Sequence, residues 1–243
     1  MLSQHFDVVA FDLPGHGFTS AARSNLMNLP AMSRAVESLL SQLHVKANLL
    51  IGHSAGVAIA LRMCLDRMAN PTAVVGLNSA LLPFDGLQGH LFSPAAKVLA
   101  AWDWVPRAFS WQAGNPAALQ RLIDGTGSKL DAEGLRLYGK LIRSPSHVAA
   151  ALGMMANWDL RGLASDLGEM RQPLWLAAGG KDLAIPQDHG PRVVARVPNA
   201  SLKNFPDLGH LAHEEAPETI AQWIIQQART LTPAPGQASA PHP

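Results

Sequence analysis

The apolar residues of this chain fall into short runs separated by segments of helical periodicity. Five runs rich in Val, Leu and Ile predict strands, at Phe6 to Leu13, Asn48 to Gly52, Ala73 to Asn78, Pro173 to Ala178 and Ala200 to Phe205. Continuously apolar strands that alternate with helices are typical of a parallel sheet covered by helices on both faces. The pattern therefore predicts an α/β fold.

Helices are predicted between these strands. From Ala31 to Leu43, apolar residues recur on one helical face, and Ala55 to Met68 is apolar enough to form a largely buried helix. The interval from Ala80 to Gln172 is far longer than a single crossover helix requires, so it contains an insertion. We interpret the chain as a core of residues 1–80 and 172–229, a helical cap of residues 81–171 and a disordered Pro-, Ala- and Ser-rich tail of residues 230–243.

Composition narrows the classes of function. The chain has 243 residues, of which 48% are apolar and 15% are charged, which suits one large core. Its formal net charge is +1 and it has no long run of Lys or Arg, which argues against binding nucleic acid. Neither a signal-peptide pattern nor a stretch of about 18 consecutive apolar residues occurs, so we expect a cytoplasmic protein without a transmembrane segment. The only cysteine, Cys64, is interpreted as a small buried hydrophobic residue.

A candidate nucleophile lies between the second predicted strand and the helix after it. Asn48 to Gly56 reads NLLIGHSAG, which is the G-x-S-x-G pattern of a nucleophile elbow in its strand–turn–helix context. We expect the turn to hold Ser54 in a strained conformation, with Gly52 and Gly56 omitting side chains that would clash there. The backbone N–H of Ala55, at the start of the helix, is the candidate donor to an oxyanion.

Two further residues are required to activate Ser54, because a serine hydroxyl needs a base and the base needs an acid to fix its tautomer. The segment PLWLAAGGKDLAIP delivers Asp182 into the loop after a predicted strand, which makes it the leading acid, with Asp85 as the alternative. In PDLGHLAHEEAP, His210 follows the last predicted strand and is the candidate base. His213, beside the start of the final helix, is its rival.

The segment Asp12 to Thr19, DLPGHGFT, predicts a tight turn at the same edge of the sheet as Ser54. We interpret Asp12 and His16 as structural residues of this turn, with lining of the pocket as the alternative for His16. The other histidines lack metal-ligand spacing, and no phosphate-binding glycine loop occurs. The sequence therefore implies neither a metal nor a nucleotide cofactor.

Six segments carry a resemblance to a known family. The similarity runs from about Phe6 to Ile225 and rests on DLPGHGFT, GHSAGVAIALRM, GLNSALLPF, GTGSKLD, HVAAALGMMANWDL and GHLAHEE. On them the chain resembles the α/β-hydrolases, whose triads follow the same Ser, Asp, His order. Gly76 to Phe84 and His147 to Leu160 make it similar to one group among them, the magnesium-chelatase accessory (BchO-like) proteins of bacteriochlorophyll biosynthesis.

This resemblance implies a role near the insertion of magnesium into protoporphyrin, with a magnesium-chelatase subunit as a partner. It also implies a difference at the N-terminal end of the fold. In α/β-hydrolases a central strand that ends in an oxyanion-forming loop precedes the strand predicted here at Phe6. We therefore expect the N-terminal strands of the fold to be missing, which leaves Phe6 to Leu13 and Asn48 to Gly52 without the strand between them.

Two functions are compatible with these features. The first is a serine hydrolase that cleaves an ester or a related acyl bond of a small molecule: Ser54 attacks, His210 transfers the proton and Asp182 orients His210. The candidate substrate-binding residues are His53, Trp104, Met154 and Trp158.

The second function is that of a non-catalytic accessory or tetrapyrrole-binding protein. In that case Arg107 or Arg143 would meet the propionates of the macrocycle. Its apolar face would be covered by aromatic and methionine side chains of the predicted cap, namely Trp102, Trp104, Trp111, Met154, Met155 and Trp158.

Overall fold

The computed structural model of the chain describes residues 1–20, 27–83 and 115–231. Its strands are β1 (Leu49–His53), β2 (Ala73–Leu77), β3 (Leu174–Gly179) and β4 (Ala200–Phe205). Its α-helices are α1 (Leu29–Gln42), α2 (Ala55–Leu65), α3 (Pro116–Asp124), α4 (Ala132–Ile142), α5 (Pro145–Asn157), α6 (Arg161–Asp166), α7 (His189–Val194), α8 (Ala212–Glu215) and α9 (Pro217–Arg229). Short 3-10 turns lie at Leu2–Gln4 and Leu167–Glu169.

The strands form one parallel sheet in the order β1-β2-β3-β4. Gly52 of β1 pairs with Gly76 of β2, and Gly76 pairs with Leu176 of β3, so the carboxyl ends of these strands lie side by side. Every residue of β2 is buried, as expected for a central strand covered on both faces. The predicted α/β fold is confirmed, and the bounds of these strands lie within one residue of the predicted ones.

The prediction of a strand over Phe6 to Leu13 is wrong, because this segment forms no strand in the structure. A strand needs a neighbour that pairs with its N–H and C=O groups, and no strand within the described residues lies beside it. Its Val8, Val9 and Phe11 are accordingly 52%, 46% and 41% exposed. Within the same residues β1 pairs only with β2, and its Ile51 is 42% exposed. Both segments therefore leave apolar side chains uncovered.

Side chains that alternate between the two faces of the sheet build a core on each face. One core joins the sheet to α1 and α2 and includes Met32, Leu61, Val74 and Leu174. The other joins it to α9 and includes Val75, Trp175, Ile220 and Ile224. Because the strands are held between two cores, the loops that leave their carboxyl ends have fixed starting points.

The region interpreted as a cap contains α3 to α6 in its described part. Residues of α3 and α4 build a small core of their own, formed by Leu119, Ile123 and Ile142. Asp131 begins α4 by accepting a hydrogen bond from the N–H of Gly134, as an N-cap residue does. Residues 84–114 and 232–243 lie outside the described residues, and with them lie most of the predicted tail and Trp102, Trp104, Arg107 and Trp111.

Candidate active site

Ser54 occupies the turn between β1 and α2 with φ 51° and ψ −115°, a backbone conformation that is strained for an L-residue. A Cβ at Gly52 would lie 2.5 Å from the backbone nitrogen of Val57, so only glycine fits at this position. The Ser54 N–H donates to the carbonyl oxygen of Leu77 at 2.9 Å and ties the turn to β2. The prediction that a side chain at Gly56 would also clash is wrong, because a Cβ there meets nothing within 4 Å.

The backbone N–H of Ala55 lies at the amino end of α2, directly after Ser54. As the first residue of the helix, Ala55 has no intrahelical acceptor for this N–H. The amino end of a helix carries a partial positive charge, which favours a negative oxygen there. The arrangement can therefore stabilise an oxyanion that forms next to Ser54.

Asp182 and His210 meet in the loops that follow β3 and β4. Nδ1 of His210 lies 2.9 Å from Oδ2 of Asp182, and the two residues are only 8% and 7% exposed. Because a carboxylate can only accept, Nδ1 of His210 carries the proton of this bond. Nε2 of His210 is therefore left unprotonated in the neutral ring and can accept a proton.

The surroundings of Asp182 stabilise its charged form. Its Oδ1 accepts hydrogen bonds from the N–H groups of Ala184 and Ile185 at 2.8 and 2.9 Å, and its Oδ2 accepts another from Nδ2 of Asn78 at 2.9 Å. Burial raises the pKa of Asp182, but the hydrogen bond and charge of His210, together with the hydrogen bonds of Asn78 and Ile185, outweigh burial and hold this pKa below its ordinary value. Asp182 is thus an anion that orients His210.

Asn78 was not identified from the sequence. It follows β2, is 2% exposed, and donates both to Asp182 and to the carbonyl oxygen of Gly209 at 3.0 Å. Its φ of 46° is a conformation that asparagine adopts more readily than most residues. An asparagine at the carboxyl end of a predicted strand, at the same edge of the sheet as Ser54, is the signal that could have indicated this role.

His53, predicted to bind substrate, contacts the loop that carries His210. Its Nε2 donates to the carbonyl oxygen of His210 at 2.9 Å, and its ring lies between those of His210 and His213, with centroids 4.7 and 4.5 Å away. Burial, together with the neighbouring His213 and His210, lowers the pKa of His53 from 6.5 to about 3. His53 is therefore a neutral donor inside the protein.

The turn of Ser54 and the loop of His210 are in contact through His53. His53 precedes Ser54 directly, and its contact with His210 joins the turn of Ser54 to the loop of His210. Among the described residues, however, no hydrogen bond joins the Ser54 hydroxyl to His210. Such bonds are often long in enzymes without substrate and shorten in the complex.

The alternatives for the acid and the base have different outcomes. Asp85 lies outside the described residues. His213 has Nε2 at 3.6 Å from Glu214, and burial lowers its pKa. Of the two candidate bases, His210 is the one that forms a hydrogen bond with Asp182.

The remaining predicted residues serve packing or turn structure where the structure describes them. Asp12 accepts from the N–H of Phe18, and Nδ1 of His16 lies 3.1 Å from the carbonyl oxygen of Pro14, so both belong to the turn. Met154 is buried in the core on the α1–α2 side, and Trp158 packs against this core. Trp104 lies outside the described residues.

A large cavity lies away from these residues. It has a volume of about 850 Å³ and is lined by residues that include Cys64, Asn70, Met170 and Asn199. None of the residues around Ser54 contributes to it, so size alone does not identify the site.

In the ranges 1–20, 27–83 and 115–231, no three His, Cys, Asp or Glu side chains are grouped to hold a metal ion. The helices of these ranges include none of the length and hydropathy needed to cross a membrane.

Comparisons with known proteins agree with this fold. A family model described as the alpha/beta hydrolase fold matches residues 1–217. The chain is 36% identical over 224 residues to the magnesium-chelatase 30 kDa subunit of Rhodobacter capsulatus, covering 92% of this chain and 78% of that protein. It is 26% identical over 232 residues to the uncharacterized hydrolase YugF of Bacillus subtilis, covering 92% of this chain and 81% of that protein.

A solved structure extends the likeness of fold. The epoxide hydrolase CorEH superposes with a TM-score of 0.77 at 19% identity, covering 95% of this chain and 84% of the other. At this identity the similarity concerns the fold alone.

Proposed function

The chain belongs to the α/β-hydrolase family, and we propose that it is a serine hydrolase that cleaves an ester or a related acyl bond. The observation that carries the proposal is the buried pair of Asp182 and His210, 2.9 Å apart, in loops adjoining the strained turn of Ser54. A charged acid, a base with a free Nε2 and a serine at a helix start are the parts that acyl transfer requires.

In the proposed reaction, Ser54 Oγ bonds to the acyl carbon and its proton passes to Nε2 of His210. Asp182 keeps its hydrogen bond to Nδ1 and stabilises the imidazolium. The former carbonyl oxygen becomes an oxyanion that accepts from the Ala55 N–H. His210 then gives the proton to the leaving group, and the bond from the acyl carbon to that group breaks.

Water completes the reaction. It loses a proton to His210 as it bonds to the acyl carbon, and the bond to Ser54 breaks as His210 returns the proton to Oγ. The products are the free acid and the leaving alcohol, and the enzyme recovers its initial protonation. His53 takes no proton in this scheme, since it stays neutral and holds the His210 backbone.

A fluorophosphonate probe, which reacts covalently with activated serines, tests the proposal. We expect the chain to be labelled and to hydrolyse short p-nitrophenyl esters, and Ser54→Ala to lose both reactions. Ser201→Ala, which changes an exposed serine on β4, is the matched control and should keep both. A folded chain that is not labelled and turns over no ester contradicts the proposal.

A second candidate is a non-catalytic protein that binds a tetrapyrrole and assists magnesium chelatase. It is supported by the name of the R. capsulatus relative and its 36% identity over 92% of this chain. Met155, 38% exposed beside the buried Met154, is an apolar side chain that could contact a macrocycle. Titration with protoporphyrin IX, followed by its Soret absorbance, tests this function. Saturable binding by both the parent and Ser54→Ala, without ester turnover, would favour it over the hydrolase.

A further inference from the structure

The loop between α3 and α4, residues 125–131, contacts both loops that carry the acid and the base. The carbonyl oxygen of Thr126 accepts one hydrogen bond from the N–H of Leu183 and another from the N–H of His210, each at 3.2 Å. Leu183 directly follows Asp182 in the chain. One backbone carbonyl with two lone pairs therefore binds the acid loop and the base loop at once.

Ser128 makes a second connection to the base loop. Its Oγ accepts a hydrogen bond at 2.8 Å from the N–H of Leu211, the residue after His210. Ser128 is 1% exposed, and the Leu211 side chain is buried in the small core that α3 and α4 share. Two consecutive N–H groups, those of His210 and Leu211, thus have their acceptors in the α3–α4 loop.

The three backbones approach each other too closely for side chains. Gly127 has φ +77°, and a Cβ there would lie 1.8 Å from the carbonyl oxygen of Lys181, while a Cβ at Gly209 would lie 2.4 Å from Gly127. Glu215 adds a bridge, since its carboxylate accepts from the N–H of Gly209 at 2.7 Å and from that of Lys129 at 3.1 Å. The α3–α4 loop, the acid loop and the base loop are therefore packed as one unit.

We propose that Ser128 is a positioning residue for His210, and that the α3–α4 loop holds the acid and base loops at the separation that the Asp182–His210 hydrogen bond requires. This inference rests on the proposed function. The sheet fixes only where these loops begin, at the ends of β3 and β4. Thr126 accepts from His210 itself and from Leu183, the residue after Asp182, and Ser128 accepts from Leu211, the residue after His210. At these positions small shifts of the backbone change the geometry of the site.

The test compares Ser128→Ala, which removes the acceptor of the Leu211 N–H, with Ser128→Thr, which keeps a hydroxyl oxygen. Ser165→Ala, at an exposed serine of α6, is the matched control. Fluorophosphonate labelling is measured against pH, and hydrogen–deuterium exchange is measured for peptides that contain His210 and Leu211. Urea unfolding gives the folded fraction of each variant.

We expect Ser128→Ala to slow labelling about ten-fold, which corresponds to about 1.4 kcal/mol and is the order of one buried hydrogen bond. We also expect it to alter the pH profile of labelling and to accelerate exchange at His210 and Leu211. Ser128→Thr should recover most of the labelling, and Ser165→Ala should match the parent. The inference is overturned if Ser128→Ala keeps the parent's labelling, pH profile and exchange. It is also overturned if labelling falls only in proportion to the unfolded fraction, which would indicate a merely structural role.

Failure of the proposed function gives a different result. If the folded parent is not labelled at all, the hydrolase proposal fails, and the inference is decided by exchange and by the NMR signal of the His210 Nδ1 proton. Loss of that signal in Ser128→Ala with faster exchange supports the positioning role. An unchanged signal overturns it.

Discussion

Replacing His53 by glutamine should make the stability of the protein less sensitive to acid. Nε2 of the half-buried His53 donates to the carbonyl oxygen of His210 at 2.9 Å, and the pKa of His53 is lowered from 6.5 to about 3. The ring therefore stays neutral in the folded protein over a pH range in which it is protonated in the unfolded chain. Glutamine retains an N–H donor but does not titrate.

The magnitude follows from the difference in proton uptake. As the pH falls below 6.5, the unfolded chain takes up a proton at His53 that the folded protein does not take up until about pH 3. A histidine with a lowered pKa contributes stability that is present above its unfolded pKa and is lost as the pH falls toward its folded pKa. From about pH 7 to about pH 5 this one site should cost the parent about 2 kcal/mol of unfolding free energy.

Urea unfolding followed by circular dichroism at these two pH values measures the effect. The free energy of unfolding of His53→Gln should fall by about 2 kcal/mol less than that of the parent between them. His5→Gln, at an exposed histidine, is the control and should follow the parent. If His53→Gln loses as much stability as the parent over this interval, His53 does take up a proton in the folded state, and its assignment as a neutral donor is wrong.

Two further substitutions test the acid and the turn. Asp182→Asn should lower ester turnover by about 10⁴-fold without unfolding the protein, because the amide stabilises the wrong tautomer of His210; Asp207→Asn, at an exposed carboxylate, is the control, and an equal effect of the two would exclude Asp182 as the acid. Gly52→Ala should lower the free energy of urea unfolding by about 3 kcal/mol, because its Cβ would overlap backbone atoms. Gly56→Ala, whose Cβ meets nothing within 4 Å, should change it by less than about 1 kcal/mol, and a comparable loss in both would contradict the steric argument.

The turn of Ser54 could be predicted from the sequence because its constraints are local. Gly52 and Ser54 lie within three residues of the strand end, and the φ of 51° at Ser54 follows from the strand–turn–helix crossing. Asp182 and His210 were candidates because each follows a predicted strand, and parallel strands end at one edge of the sheet. Because β3 and β4 are neighbouring strands, the loops after them bring Asp182 and His210 close enough to form a hydrogen bond.

Contacts between distant segments could not be predicted in this way. The partner of Asn78 is 104 residues away and that of Ser128 is 83 residues away, and no periodicity encodes such pairs. GTGSKLD was recognised as a motif, but its contact with the base loop depends on how α3 and α4 pack. The strand predicted over Phe6 to Leu13 fails for a related reason, because an apolar pattern favours a strand but a neighbour must pair with it.

The order of the strands holds Ser54 less firmly than it holds Asp182 and His210. Ser54 follows β1, which has one neighbouring strand in the described part of the chain, whereas Asp182 follows β3, which has two. Asp182 and His210 are joined by their own hydrogen bond, so the separation of β1 from β2 would carry the serine away and leave that pair together. Thermal inactivation would then precede global melting. A sample would still show the circular dichroism of the folded protein after Ser54 had lost its reactivity.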